Sequence, residues 1–231
     1  MNKLVLIAFT VSILQVLNAQ ETEIGNKLFL GGSLHFLVQK KTYPLSSLSI
    51  NSEFGAIYSN STEDTKNTTF AISPNLGKEI NPKLFVGLQL DYRIGRYKAD
   101  DISLFGQPNS IDFERNSNQV GIEIFTRHIL NPNNKFGFFL QPFMVYNLLS
   151  GEETQDSKVT REEIANYFEV GAGLGMLYNF NSKIRATLRA GGLNYINGKW
   201  KIKDTDQTKN FSSFGTNLNL STIYFGIEFR M

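Results

Sequence analysis

The stretch Asn217 to Met231 reads Asn-Leu-Asn-Leu-Ser-Thr-Ile-Tyr-Phe-Gly-Ile-Glu-Phe-Arg-Met. From Ile223 onward the apolar residues take the odd numbers: Ile223, Phe225, Ile227, Phe229 and Met231. Tyr224, Gly226, Glu228 and Arg230 take the even ones. A period of two is that of a β-strand with one apolar and one polar face. Such a strand must pair on both edges or leave a row of unpaired backbone groups.

Seven further segments carry the same alternation. The first, about Lys27 to Gln39, sets Leu28, Leu30, Leu34, Phe36 and Val38 against Gly31, Ser33 and His35. The second, about Thr68 to Ile80, sets Phe70, Ile72 and Leu76 against Ala71, Ser73, Asn75, Gly77 and Glu79. The third, about Lys83 to Tyr97, sets Leu84, Val86, Leu88, Leu90, Tyr92 and Ile94 against Gly87, Gln89, Asp91, Arg93 and Gly95. The fourth and fifth run from about Asn118 to Leu130 and from Phe136 to Leu149. The sixth and seventh run from about Tyr167 to Phe180 and from Lys183 to Ile196. Parity breaks after Gly191-Gly192, which predicts a bulge there, and Leu218 and Leu220 predict a second near Ser221.

Connections after the second, fourth and sixth segments are short. Those after the first, third, fifth and seventh are long: about Lys40 to Asn67, Lys98 to Ser117, Ser150 to Asn166 and Asn197 to Ser213. Short turns on one side and long loops on the other is the arrangement of a transmembrane barrel. A water-soluble barrel would hide its apolar face inside. Against that reading, the aromatics of the apolar face bunch at the strand ends. Phe36, Phe70, Tyr92, Tyr146 and Phe168 lie toward the long loops; Phe136, Phe138, Tyr178, Phe180 and Phe229 lie toward the short turns. Two aromatic girdles bound a lipid-facing band.

The composition agrees. The 231 residues carry 13% aromatics, 19 Gly and no Cys, with a net charge of +2. That balance points to no nucleic-acid partner, and the absence of Cys removes disulfides, thiolate metal sites and a lipidated cysteine. No apolar run reaches the ~18 residues of a spanning helix. Residues 1–19 read as a secretory signal: Lys3, a largely apolar run from Leu4 to Leu17, and Ala19 before the cut. Residues 20–231 then form one domain.

The whole pattern resembles the small outer-membrane β-barrels of Gram-negative bacteria, the porin-like and OmpA-type transmembrane barrel family. The resemblance rests on the signal, the amphipathic strands, the Gly-rich polar face and the aromatic last strand. It implies an all-β, eight-stranded antiparallel up-and-down transmembrane β-barrel in the outer membrane. It further implies outer-membrane lipid and the barrel-assembly machinery as partners, with Phe225, Ile227 and Phe229 in the insertion signal. A monomer with an unknown surface ligand is expected.

The polar face brings Asp91, Glu123, Glu169 and Glu228 together with Arg93, Arg127, Arg185, Arg189 and Arg230. An eight-stranded bore is just wide enough for side chains to fill. This network reads either as a plug of paired charges or as the lining of a narrow diffusion channel. No catalytic motif, cofactor site or metal site stands out, and His35 reads as an interior hydrogen-bonding group. The acidic pairs Glu63-Asp64, Asp100-Asp101, Glu152-Glu153 and Glu162-Glu163 read as solvated loop residues or cation ligands, and Tyr58, Phe105 and Phe211 as apolar residues of the loops. The expected function is a structural or interaction scaffold that displays four surface loops; a narrow channel is the alternative, and an enzyme is not expected.

Overall fold

The computed structural model describes residues 27–44, 49–51, 55–57, 62–102, 111–155, 158–205, 208–216 and 223–231. The signal segment and the second expected bulge near Ser221 lie outside them, as do Tyr58 and Phe105. The strands are β1 (Lys27–Pro44), β2 (Ser49–Asn51), β3 (Gly55–Ile57), β4 (Thr62–Asn81), β5 (Leu84–Ile102), β6 (Ile111–Ile129), β7 (Phe136–Gln155), β8 (Lys158–Asn179), β9 (Ile184–Ile202), β10 (Thr208–Thr216) and β11 (Tyr224–Arg230).

Eight of them close a ring in the order β9-β11-β1-β4-β5-β6-β7-β8, with β8 returning to β9. All pairings are antiparallel and all but the closure join sequence neighbours in the wall. Closure is by β1 on β11, with Phe29 opposite Arg230 and Leu34 opposite Phe225. β10 extends the last stave, pairing with β9 from Thr208 opposite Lys201 to Thr216 opposite Leu193. β2 and β3 form a separate small ribbon.

Each of the three short turns opens with an asparagine whose side chain caps the reversal. Asn81 Oδ1 accepts from the Lys83 amide at 2.9 Å. Asn131 Oδ1 accepts from the Phe138 amide at 2.8 Å. Asn181 Oδ1 accepts from the amides of Lys183 and Ile184, both at 2.8 Å.

The alternation puts the apolar face outside. Leu88 and Ile122 are 54% and 56% exposed, while their neighbours Gln89 and Glu123 are 4% and 3% exposed. Leu30, Leu34, Ile72, Leu76, Leu90, Ile94, Val120, Leu148, Leu174 and Ile227 are exposed in the same way. Leu84, at the same parity, is buried and does not join them. A continuous apolar surface on this scale does not face water; it is the lipid face of a barrel that crosses a bilayer. The girdle is preserved, with edge-to-face pairs Phe136–Phe138 at 5.2 Å and Tyr178–Phe180 at 5.1 Å near the short turns.

The bulge between β8 and β9 occurs where the sequence breaks parity. Gly173 pairs with Gly192 but Gly175 pairs with Arg189, so β9 spends one extra residue at Ala190-Gly191. Before it Arg185 and Arg189 point in; after it Leu193 is exposed outside and Asn194 and Ile196 line the interior.

The long connections require correction. Most of their residues are strand: β7 and β8 stay paired up to Gln155 opposite Lys158, and β5 and β6 up to Ile102 opposite Ile111. The apolar belt ends at Ile94, Val120, Leu148 and Phe168, and the next outward residues are Arg96, Asn118, Ser150 and Asn166. A ~25 Å band needs about ten residues per strand. Strands β4 to β9 have 19 to 22 residues. The upper half of each therefore stands clear of the membrane as a stiff hairpin. Local ion pairing sustains these extensions: Glu152, Glu153, Glu162 and Glu163 lie on paired strands rather than in loops.

The facing assignment makes an expected outcome. Leu88→Arg places a charge near mid-membrane and costs about 2–4 kcal/mol. Gln89→Ala, on the inner face, costs less. Urea unfolding in lipid vesicles checks this, and equal costs for the two changes contradict the assignment.

Candidate functional site: the barrel lumen

The interior is built on a large-opposite-small rule. Phe29 pairs with Gly77, Phe125 with Gly87, Phe139 with Gly175 and Phe143 with Gly171. In each pair the ring occupies the space that a Cβ on the glycine would need. At Gly87 an added Cβ would lie 2.5 Å from the Phe125 ring. A narrow bore cannot hold two bulky groups at one level, so each ring lies over a bare stretch of neighbouring strand.

Phe29, Phe85, Phe125, Ile129, Phe139 and Leu177 form one buried apolar cluster at the short-turn end, with Phe143 packed against it. Phe29 and Phe85 meet edge to face at 5.7 Å. Reading the polar face as glycine and charge missed this cluster. The signal was present, because Phe29, Phe85, Phe125 and Phe139 share the parity of Gly31, Gly87, Arg127 and Gln141 on their own strands.

The arginines are set against these rings. The Arg127 guanidinium lies 4.6 Å from the Phe139 ring centre and 5.5 Å from that of Phe125. Arg185 lies 4.6 Å from the Phe85 ring centre, and Arg189 lies 5.0 Å from that of Tyr224. A ring face attracts a desolvated cation.

Carboxylates complete the network. Arg127 Nη1 donates to Glu228 Oε1 at 2.6 Å, and Arg185 Nη1 stands 3.7 Å from Glu228 Oε2. Arg127 Nε donates to Gln141 Oε1 at 3.1 Å, and Gln141 Nε2 donates to Glu123 Oε1 at 3.1 Å. Arg189 Nη1 donates to the same Glu123 oxygen at 2.8 Å. The result is one chain, Glu228–Arg127–Gln141–Glu123–Arg189. Arg230 pairs with Glu79 at 3.3 Å, a partner outside the nine residues expected.

Asp91, Arg93 and Glu169 depart from the expectation of charge pairing. Among the described residues none of them has an ion-pair partner within 4 Å. Asp91 accepts from Gln89 Nε2 at 2.9 Å, Glu169 accepts from Asn194 Nδ2 at 2.8 Å, and Arg93 donates to the Tyr224 hydroxyl. These three line a cavity of about 230 Å³, with Gln119, Asn147 and Tyr167. At ~30 Å³ per molecule it has room for about seven waters. Nε of Arg93 and Nδ2 of Asn147 have no protein partner among the described residues. His35 is buried, with Nδ1 2.7 Å from the Ile223 carbonyl oxygen and its ring 5.0 Å from Tyr224. It is an interior hydrogen-bonding group. Phe225, Ile227 and Phe229 all point outward into the belt, 65%, 53% and 51% exposed.

Above the membrane, Glu163 is buried and pairs with Arg115, and Trp200 Nε1 donates to its Oε2 at 2.7 Å. Arg161 lies 4.4 Å from the Trp200 ring centre. Phe211 sits on β10, its ring 6.1 Å from that of Tyr167. Glu114 accepts from Arg96 Nη2 and Asn116 Nδ2, both at 2.8 Å, and pairs with Lys98 at 3.1 Å. The hydrogen bond from Arg96 is the largest influence holding its carboxyl down, to about 2.

No family model matches the chain, and no curated protein does. Solved structures do. A major outer membrane protein from Thermus thermophilus is 11% identical over 90% of this chain and 100% of its own, at a TM-score of 0.42. Neisserial surface protein A is 13% identical over 90% of this chain and 100% of its own, at 0.36. The transport unit of the autotransporter AIDA-I from Escherichia coli is 11% identical over 93% of this chain and 82% of its own, at 0.39. The barrel itself is read from the strand pairing above.

Two outcomes follow from the pairing geometry. Glu228→Ala leaves Arg127 and Arg185 buried without their carboxylate and costs about 3–5 kcal/mol. Glu114→Ala, in a half-exposed cluster, costs about 0–1 kcal/mol. Urea unfolding of both variants in vesicles checks the contrast, and equal costs refute it. For Glu114 the folded pKa is depressed, so the contribution of its ion pair is present above the ordinary carboxylate range and is lost as pH falls toward about 2. Carboxyl NMR titration should place its midpoint there, and Arg96→Gln should raise it.

Proposed function

We propose that this chain is an outer-membrane barrel with a lumen closed by its own side chains, serving as a structural or interaction scaffold that holds stiff hairpins above the membrane surface. The observation that carries this reading is the 2.6 Å bond between Arg127 and Glu228. In the ring order β6 and β11 stand four staves apart, on opposite walls. A bond that short across the diameter leaves no open bore at its level. The Phe cluster fills the same end, and the chain through Gln141, Glu123 and Arg189 continues the closure toward the hairpins.

Small bore, balanced charge and an apolar plug all favour display over transport. Narrow diffusion is the second reading, and the polar-lined cavity on the hairpin side of the plug is what favours it. No catalytic role is proposed. In the scaffold reading, the belt contacts outer-membrane lipid, and the outward Phe225, Ile227 and Phe229 present the insertion signal to the barrel-assembly machinery.

The unmodified protein should show no steady conductance in a planar bilayer. Stable, reproducible single-channel steps would put the channel reading first, with the same charged residues as its lining. Deletion of residues 225–231 removes the stave that seals β1 to β9 and should abolish the heat-modifiable folded band in membrane fractions. A normal folded band from that deletion would contradict both closure and the insertion role.

A further inference from the structure

The two ends of the barrel are charged differently. At the hairpin end both signs of charge stand together: Arg96 and Lys98 pair with Glu114, Arg115 and Arg161 with Glu153 and Glu163, and Lys203 with Glu162, while the exposed Lys66, Lys158, Lys199, Lys201 and Lys209 lie on strand beyond the apolar belt. At the short-turn end stand Lys78, Lys83, Lys135 and Lys183. Lys83, Lys135 and Lys183 are exposed and Lys78 half-exposed, and among the described residues none of the four has an ion-pair partner. The carboxylate side chains described near that rim, Glu79 and Glu228, are buried and held by Arg230, Arg127 and Arg185.

Their position is as informative as their sign. Lys78 follows Leu76 on the outward parity of β4; Lys83 precedes β5, Lys135 precedes Phe136 and Lys183 precedes Ile184. Every short turn thus contributes at least one lysine, so the cations are spread around the perimeter. All sit where the apolar belt ends. The ammonium of Lys135 stands 5.3 Å from the ring centre of Tyr178, a girdle residue, which fixes it at headgroup depth.

We propose that this rim is a docking surface for anionic phospholipid headgroups of the leaflet at the short-turn end, held by Lys78, Lys83, Lys135 and Lys183. It rests on the membrane-barrel reading and goes beyond it. Phosphate is the group a belt-edge ammonium meets in a bilayer, and a cation near an anionic surface strengthens association about fivefold. The distribution gives each lysine its own lipid rather than one shared pocket.

The experiment reconstitutes the whole chain in phosphatidylcholine vesicles containing a small fraction of spin-labelled phosphatidylglycerol, with labelled phosphatidylcholine in parallel. The immobilised fraction of each label reports the lipid bound at the barrel wall. Phosphatidylglycerol should be favoured about threefold to fivefold at low salt, and the preference should fall in about 0.5 M salt, where the Debye length is only about 4 Å. Substituting all four lysines by Gln should abolish the preference, and substituting them by Arg should keep it. Lys98→Gln, Lys199→Gln, Lys201→Gln and Lys203→Gln together, at the hairpin end, should leave it unchanged. Heat-modifiable mobility verifies folding of each variant, and the exposed pair Lys83→Gln and Lys183→Gln, expected to halve the preference, serves if the fourfold change prevents assembly. The proposal fails if the unmodified barrel shows no preference, if the preference survives loss of the rim lysines, or if it follows the hairpin lysines. Failure of the membrane reading is distinguishable: the chain would then not enter vesicles at all.

Discussion

Inside a bilayer no water is available to a backbone amide, and this constraint dictates the rest of the molecule. Every N–H and C=O in the belt must find a partner in a neighbouring strand, so the sheet must have no edge. The pairing of β1 with β11 meets that requirement. A closed sheet has only two faces, and the period of two assigns alternate residues to lipid and to lumen. Leu88 and Gln89 differ by one position in sequence and by the whole wall of the barrel in environment.

The narrowness of an eight-stave ring then controls its contents. Bulk has to be rationed level by level, and the chain does so by setting Phe29, Phe125, Phe139 and Phe143 opposite Gly77, Gly87, Gly175 and Gly171. The rings in turn make a low-dielectric floor. A cation on that floor is tolerable only with a carboxylate and a ring face beside it. Arg127 has all of these in Glu228, Phe125 and Phe139. Toward the hairpins the packing loosens, and there Asp91, Arg93 and Glu169 make do with amide and phenol partners around a polar cavity.

Much of this was legible in the sequence because parity is a local property. The eight staves, the outward belt, the inward charges and the bulge near Gly191 all follow from counting residues by twos. The interior phenylalanines were equally countable, yet an aromatic on a polar face is easily discounted when bulk is expected to face lipid. What parity cannot show is who meets whom across the bore. The pairing of Arg127 with Glu228, or of Arg230 with Glu79, depends on shear between staves distant in sequence. The extent of the hairpins was hidden for another reason. Beyond Ile94 and Leu148 the outward face turns polar, at Arg96 and Ser150, so the alternation that marks a lipid face ends while the ladder of hydrogen bonds continues.

That continuation changes what the surface offers to a visitor. A floppy loop must surrender conformational freedom when something binds it, and that loss weakens the complex. Here β7 and β8 are already paired as far as Gln155 and Lys158, and Glu163 is clamped by Arg115 and Trp200 before any encounter. The ordering entropy is lost once, during folding, and need not be lost again. A binder that matches this rigid relief gains affinity from shape alone, whereas one that relies on the protein to mould itself around it gains little.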